Sequence, residues 1–465
     1  MKQLKMVVIG ASLILGLQVA AAEYMPKMQF DKWHNSYTNS FVSKIFMKSK
    51  GSQTPATNLD QCRQLIEAIH GISGGMHQII YLVGWSHDGH DSKFPNWDLV
   101  GDCCRSSLSQ DPVLSLRAAI REAREKWNCD LSVHINTSDC HKDSPDWKLY
   151  NDKKLLRLDS NGNPVKSYST WYMISHVKDW NSGVAKSRID RFLKMLPEIR
   201  DSKTVHLDAF FARPSEGDGI TLEDDKQAIR EQVKYWHEQG IDVTTEFVES
   251  IDMIGWFPMF WHLNLDERQR MLYPASLICG GDNAWNARKR IGYRNRPSAE
   301  NCVPSVGCYY EEAWGIGHFN DMSAAHLNKK LLAEKMFPTA LLNVWYNYHP
   351  LIRHCVTTTS YGVQRADGVK AVVRMADGHL SVTQNGRTVV DGGDYFLDMP
   401  YNGGVILAYS KNGCDRQFEL PPEWNGRCVI KGENWTQGKK IELPVKNNRV
   451  QIRLDAGDSL VLRRN

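Results

Sequence analysis

Two acids stand at the ends of two hydrophobic runs. Asp208 closes Thr204-Val205-His206-Leu207 and is followed at once by Ala209, Phe210 and Phe211. Glu246 closes Val243-Thr244-Thr245, one helix–strand unit later. A carboxylate at a strand end has two ordinary explanations: a pair with a basic side chain, or a cap on the next helix. Two of them in neighbouring units, among aromatic residues, suggest a third. If the strands are parallel neighbours, their C-terminal ends meet at one rim and the acids face each other across whatever binds there. Two carboxyls flanking one bond are the equipment for cleaving a glycosidic linkage.

Other residues point at the same rim. The stretch GWSHDGHDSKFPNWD, residues 84–98, holds two His, three Asp and two Trp directly after a hydrophobic run. Hydrogen-bonding groups and rings packed so densely suit a sugar, whose hydroxyls need polar partners and whose flat faces stack on aromatics. Trp85, His90 and Asp91 are its candidate contacts. A metal site from His87, His90 and Asp91 would need a ligand from elsewhere, and none is evident. In VHINTSD, His134, Asn136 and Ser138 alternate and therefore share a face of an extended chain. Trp171 joins the substrate-facing set. So does Trp314, in the Gly- and aromatic-rich run EEAWGIGHFND, as a residue that could close over a ring.

The elements that must position these residues alternate in type. Residues 58–72, 112–128, 184–200 and 222–240 carry apolar residues at helical spacing, and Gly240 is a helix stop. Between them lie short apolar runs at 77–85, 129–138, 203–211 and 241–250. Four helix–strand units with apolar strands imply a parallel sheet covered on both faces. Over about 300 residues the expected closed form is a (β/α)8 TIM-type barrel. A doubly wound sheet is the alternative, but no glycine-rich phosphate loop follows any strand. Beyond residue 356 the texture changes to alternating apolar and polar residues cut by Asp-Gly, Asn-Gly and Gly-Gly turns. That pattern predicts an antiparallel β-sandwich. The expected division is a signal peptide at 1–22, a catalytic barrel at 23–355 and a C-terminal sandwich at 356–465.

Composition excludes several classes. The 465 residues carry a net charge of only +4, with no long like-charge block, so neither nucleic acid nor membrane insertion is expected. Lys2 and Lys5 precede an apolar run ending in Ala20-Ala21-Ala22, the layout of a secretory signal cleaved near Ala22. A periplasmic or secreted bacterial protein follows. Among 11 Cys, the pairs Cys103/Cys104, Cys302/Cys308 and Cys414/Cys428 are disulfide candidates in such a compartment. No organic cofactor and no metal site is expected; Ca²⁺ is the one ion left open.

Several of these motifs, in this order, resemble the glycoside hydrolase family 101 endo-α-N-acetylgalactosaminidases. GHDS followed by FPNWD resembles the family's G-H-D-S-G-H-P-D loop, and VHINTSD its H-V-N-x-T-E segment. VHLDAFF is similar to its nucleophile strand V-Y-V-D-V-W-G, TTEFVES to its acid/base strand, and EKMFPTALL to an F-P-T-K-F-L-type segment. The resemblance spans residues 75 to 345. It implies Asp208 as nucleophile, Glu246 as acid/base, and Asp91 and Asn136 as sugar-holding residues. It implies a mucin-type O-glycan as substrate and a retaining mechanism, in which Glu246 rests protonated with a pKa above that of Asp208. Departures are Ala-Phe-Phe after Asp208, in place of Val-Trp-Gly, and Glu249, a rival to Glu246. The alternatives are an exo-acting α-galactosidase or α-N-acetylgalactosaminidase, and a carbohydrate-binding protein with a degenerate barrel.

Overall fold

The computed structural model describes residues 28–168, 170–246, 250–260, 279–280, 322–357, 359–374 and 376–464. Five parallel strands form its first sheet: β1 (Phe41–Phe46), β2 (Gln78–Val83), β3 (Cys129–Asn136), β4 (Thr204–Asp208) and β5 (Asp242–Thr245), hydrogen-bonded in that order. The arc continues at both ends. Ile45 of β1 bridges in parallel to Met322, and β6 (Met259–Phe260), beside β5, pairs in parallel with β7 (Cys279–Gly280). This is a TIM-type barrel.

The connecting helices form where capping and apolar spacing agree. Helix α1 (Leu59–Ile72) opens on a capping box between Asn58 and Gln61. Helix α2 (Pro112–Trp127) has Asp111 as cap and Pro112 in its first turn, where the missing N–H costs nothing. Helix α3 spans Val184–Met195, and α4 (Leu222–Glu238) is capped by Thr221 and ends before Gly240, whose φ of 82° suits glycine. Strand parity then divides the side chains. Leu82, Leu131, Val133, Val205, Leu207 and Val243 point outward into one buried core with the helices. Lys44, Tyr81, His134, His206 and Glu246 point inward.

The barrel's floor is closed by the segment before β1. Trp33 and Tyr37 pack there against Val42, Ile79, Tyr81 and Met259. The Tyr37 and Tyr81 hydroxyls converge on Thr204 Oγ1 at 2.8 and 2.6 Å. Neither β1 nor the small sheet formed by Asp139–His141, Trp171–Met173 and Lys166–Tyr168 was expected from the sequence.

A 12-stranded antiparallel sheet starts at Leu351 and runs to Arg463. It folds over as a sandwich around Phe396, Ile406, Phe418, Trp424, Ile452 and Leu462. The turn at Asn385-Gly386 has φ values of 50° and 86°, the type I′ geometry that Asn-Gly favours. The sandwich docks on the end of α1, where Tyr401 Oη donates to the Ser73 carbonyl at 2.7 Å and Asn402 Nδ2 to the Gly74 carbonyl at 3.0 Å.

Two of the expected disulfides are absent. Cys103 and Cys104 are buried free thiols in a 3₁₀ turn, donating to the carbonyls of Gly84 at 3.4 Å and Trp85 at 3.5 Å. Cys414 and Cys428 are also free. Cys302 and Cys308 lie outside the described residues. No helix among the described residues is long and apolar enough to cross a membrane.

Candidate active site

The strand register brings the two acids to one level. His134 lies opposite His206, Asn136 opposite Asp208, and Leu207 opposite Thr245, so Asp208 and Glu246 end β4 and β5 side by side and face inward. His134 Nε2 approaches a carboxyl oxygen of each within 4.0 Å, so the two acids share one site. Asp208 is the outer of the two, with 15% of its side chain exposed against 4% for Glu246.

Four polar side chains contact the pair. Lys44 Nζ, from β1, bonds Glu246 Oε1 at 2.9 Å, and both are almost wholly buried. His134 Nε2 stands 4.0 Å from Asp208 Oδ1 and 3.8 Å from Glu246 Oε1, and its ring stacks on that of His206. His206 Nε2 is 3.9 Å from Glu246 Oε1. Asn136 Nδ2 donates to Asp139 Oδ2 at 2.8 Å and, more weakly, to Asp208 Oδ2 at 3.4 Å. The Asn136 Oδ1 accepts from the backbone N–H groups of Ser138 and Asp139, so its amide is held in one orientation.

The electrostatics follow from burial. Burial and the adjacent Glu246 charge push Asp208 up to about 6. Burial likewise raises Asp91 and Asp139, and the neighbouring acids add to both. Burial, with the Lys44 ammonium next in weight, drives His134 and His206 well below the usual imidazole range, so both are neutral at pH 7. The expected order of the acids is not the one these charges favour. The Lys44 ammonium at 2.9 Å favours charge on Glu246, and burial followed by that charge raises Asp208.

The backbone beside Asp208 is constrained. Ala209 has φ 47°, a left-handed conformation that costs a residue with a Cβ about 1 kcal/mol. It is held by Ser138 Oγ, which donates to the Ala209 carbonyl at 2.9 Å and contacts His176, itself paired with buried Asp225. Asp225 also accepts from the Arg213 N–H at 2.9 Å, closing the loop after β4.

The predicted contacts separate on inspection. Asp91, with φ 61°, and His90 stand at the rim with 3.6 Å between Oδ1 and Nε2. His90 packs edge-on against His134, which brings it to the acids. Their loop crosses the backbone of Lys48 so closely that a Cβ on Gly84 would lie 2.1 Å from the Lys48 carbonyl oxygen. Trp85 does not face the mouth. It is 1% exposed, packs on Phe192 and donates from Nε1 to the His134 carbonyl at 3.0 Å. Trp97 does the same for the Asn136 carbonyl at 3.2 Å. These indoles anchor the strand that carries His134 and Asn136. His87 is likewise turned away, bonded to Asn96. Trp171 lies on the small sheet, stacked at 4.5 Å on the buried His141 ring. Trp314 and Glu249 lie outside the described residues.

Lys44 and His206 were missed in the sequence. His206 stands two residues before Asp208 on a strand and so shares its face. Lys44 interrupts Phe41-Val42-Ser43-Lys44-Ile45-Phe46, and a lysine inside a buried strand demands a carboxylate partner.

A parallel barrel with paired acids and neutral imidazoles at its C-terminal mouth defines a class, that of the barrel glycosidases. The chain belongs to the endo-alpha-N-acetylgalactosaminidase family of glycoside hydrolases, whose pattern matches residues 18–267, more than half of its length. Among solved structures it is similar to the alpha-N-acetylgalactosaminidase NagBb from Bifidobacterium bifidum. In its GalNAc complex the TM-score is 0.55 at 11% identity, over 80% of this chain and 63% of that one. In the ligand-free form it is 0.52 at 12% identity, over 79% and 60%. The chain thus spans less than two thirds of those proteins, and at such identity the likeness is one of fold. No curated protein sequence matches it.

Proposed function

We propose that this protein is a retaining hydrolase of α-linked GalNAc or galactose in mucin-type O-glycans, exported through the signal-like residues 1–22. The observation that carries the reading is the pairing of Asp208 and Glu246 at the barrel mouth of a chain whose residues 18–267 match the family. Two carboxyls that both approach His134 Nε2 within 4.0 Å are close enough for the retaining separation of about 5 Å.

In this reading the proton of the pair starts on Asp208 and passes to Glu246 as the sugar enters. Asp208, now anionic, attacks the anomeric carbon while Glu246 protonates the departing oxygen. A glycosyl ester forms on Asp208. Glu246, ionised again beside Lys44, then takes a proton from water as that water attacks the anomeric carbon and displaces the Asp208 carboxylate, and the configuration is retained. Lys44 favours the second step by stabilising the base. His134 and His206, being neutral, offer hydrogen bonds without adding charge. Asn136 and Asp91 hold sugar hydroxyls, and Trp171 on its His141 backing offers a stacking face.

A second reading, exo-action on a terminal GalNAc, rests on the likeness to a structure described as an alpha-N-acetylgalactosaminidase in complex with GalNAc. One assay separates the two: incubation with aryl α-glycosides of GalNAc, galactose and Gal-β1,3-GalNAc. Release of intact disaccharide supports endo-action and release of GalNAc alone supports exo-action. Turnover of none of the three would refute both.

A further inference from the structure

The sandwich holds a cavity of about 640 Å³ that the proposed reaction does not use. Its walls come from the segment after the helix Leu342–Asn347, the hairpin turn at 385–386, the strand Asp394–Met399 and the turn around Pro422. Asn347, one residue before Tyr348, donates from Nδ2 to the Thr38 carbonyl at 2.7 Å, beside the floor residue Tyr37. The cavity therefore belongs to the floor side of the barrel, and no described residue of the mouth lines it.

A carboxylate is held at its wall. Trp345 Nε1 donates to Asp398 Oδ1 at 3.3 Å, and Arg387 Nη2 donates to the same oxygen at 2.8 Å. Arg387 is 8% exposed and also bonds Gln384 Oε1. Among the described residues no donor reaches Asp398 Oδ2, and 13% of this side chain stays exposed. Asp398 thus offers one oxygen, oriented from behind by an indole and a guanidinium, to whatever enters. The lining residues Arg387 and Asn448 add further capacity, since Nη1 of the first and Oδ1 of the second have no partner. Buried polar atoms of this kind cost free energy unless ligand or solvent joins the network.

These groups fit a sugar. A carboxylate oxygen accepts from hydroxyls, the amides of Asn425 and Asn448 both donate and accept, and the half-buried Tyr348 puts an aromatic ring at the wall for the C–H side of a pyranose. A peptide would need an apolar anchor pocket, and besides Tyr348 the apolar lining is Leu420 and two prolines. Three carboxylates, Asp398, Glu419 and Glu423, stand against one guanidinium, so an acidic sugar is repelled.

We propose that this cavity is a second, non-catalytic binding site for a neutral saccharide, which tethers the glycan while the barrel mouth cuts it. The tethering role rests on the proposed hydrolysis; the site itself does not.

The test uses the full chain carrying Asp208→Asn, so that bound glycan stays intact. Its migration is followed in native gels containing desialylated mucin, with sialylated mucin as the second arm. Retardation by the desialylated form, and weaker retardation by the sialylated one, is the expected result. Asp398→Asn, which keeps an oxygen for Arg387 and Trp345, and Tyr348→Leu should each weaken the apparent affinity at least about tenfold. Thermal midpoints check that both variants fold. Absence of retardation, or tighter binding of sialylated mucin, would overturn the proposal. So would retardation that survives in both variants and disappears in Asp91→Ala, since the glycan would then be held at the mouth alone. Retardation that depends on Asp398, in a protein whose natural chain is inactive on every aryl α-glycoside, would keep the site and refute the hydrolysis instead.

Discussion

The Asp208→Asn variant should be more stable than the natural chain while being inactive. Asp208 is a nearly buried carboxyl whose pKa rises from 3.8 to about 6, chiefly through burial and then through the Glu246 charge. Because the folded-state value lies above the unfolded one, folding takes up a proton between them. Ionised Asp208 therefore opposes folding above pH 6, and the penalty fades as pH falls towards 3.8. A shift of about two units corresponds to at most about 3 kcal/mol at pH 7, falling to about 1 kcal/mol at pH 4.5. Asparagine removes the charge and keeps an oxygen for Asn136. For a domain of this size about 2 °C per kcal/mol is expected, so the midpoint should rise by about 4–6 °C at pH 7. Thermal unfolding of both proteins from pH 4.5 to 8 measures this, with aryl glycosidase activity as the companion assay. A variant less stable than the natural chain at pH 7, or a gain that does not shrink on acidification, would refute the electrostatic account of this site.

Four further outcomes follow from the same geometry. The basic limb of kcat/KM should fall above about pH 6, where Asp208 gives up the proton that the reaction passes to the leaving group, and His134→Asn should leave that limb in place because the imidazole is already neutral. Lys44→Met strands a buried carboxylate, so stability should drop by about 3–5 kcal/mol unless Glu246 takes up a proton, and in that case the basic limb should move up, because Glu246 then keeps the required proton to higher pH. Azide should restore turnover of an aryl α-glycoside to Glu246→Gln and yield the α-glycosyl azide, whereas rescue confined to Glu249→Gln would move the acid/base role. Gly84→Ala, whose new Cβ would lie 2.1 Å from the Lys48 carbonyl oxygen, should displace the loop bearing His90 and Asp91 and raise KM, as measured by steady-state kinetics.

Local pattern carried much of this protein. Period-2 and helical spacings fall where strands β2 to β5 and helices α1 to α4 form, because each depends on residues only a few places apart. Asn-Gly at 385–386 forms its turn for the same reason. Asp208 and Glu246 were legible as strand-end acids, since an acid there needs a purpose whatever surrounds it. What surrounds them depended on the closure of the barrel. Lys44 is 202 residues from Glu246, and no spacing rule relates them; only the curl of the sheet brings β1 across to β5. That contact favours charge on Glu246, which no local pattern foretells. Trp85 likewise satisfies any sequence criterion for a sugar platform, yet the adjacent His134 carbonyl and Phe192 ring draw it into the core. Residue type states what a side chain can do, whereas the charges and voids it meets are set by segments far away in the chain, and these decide what it does.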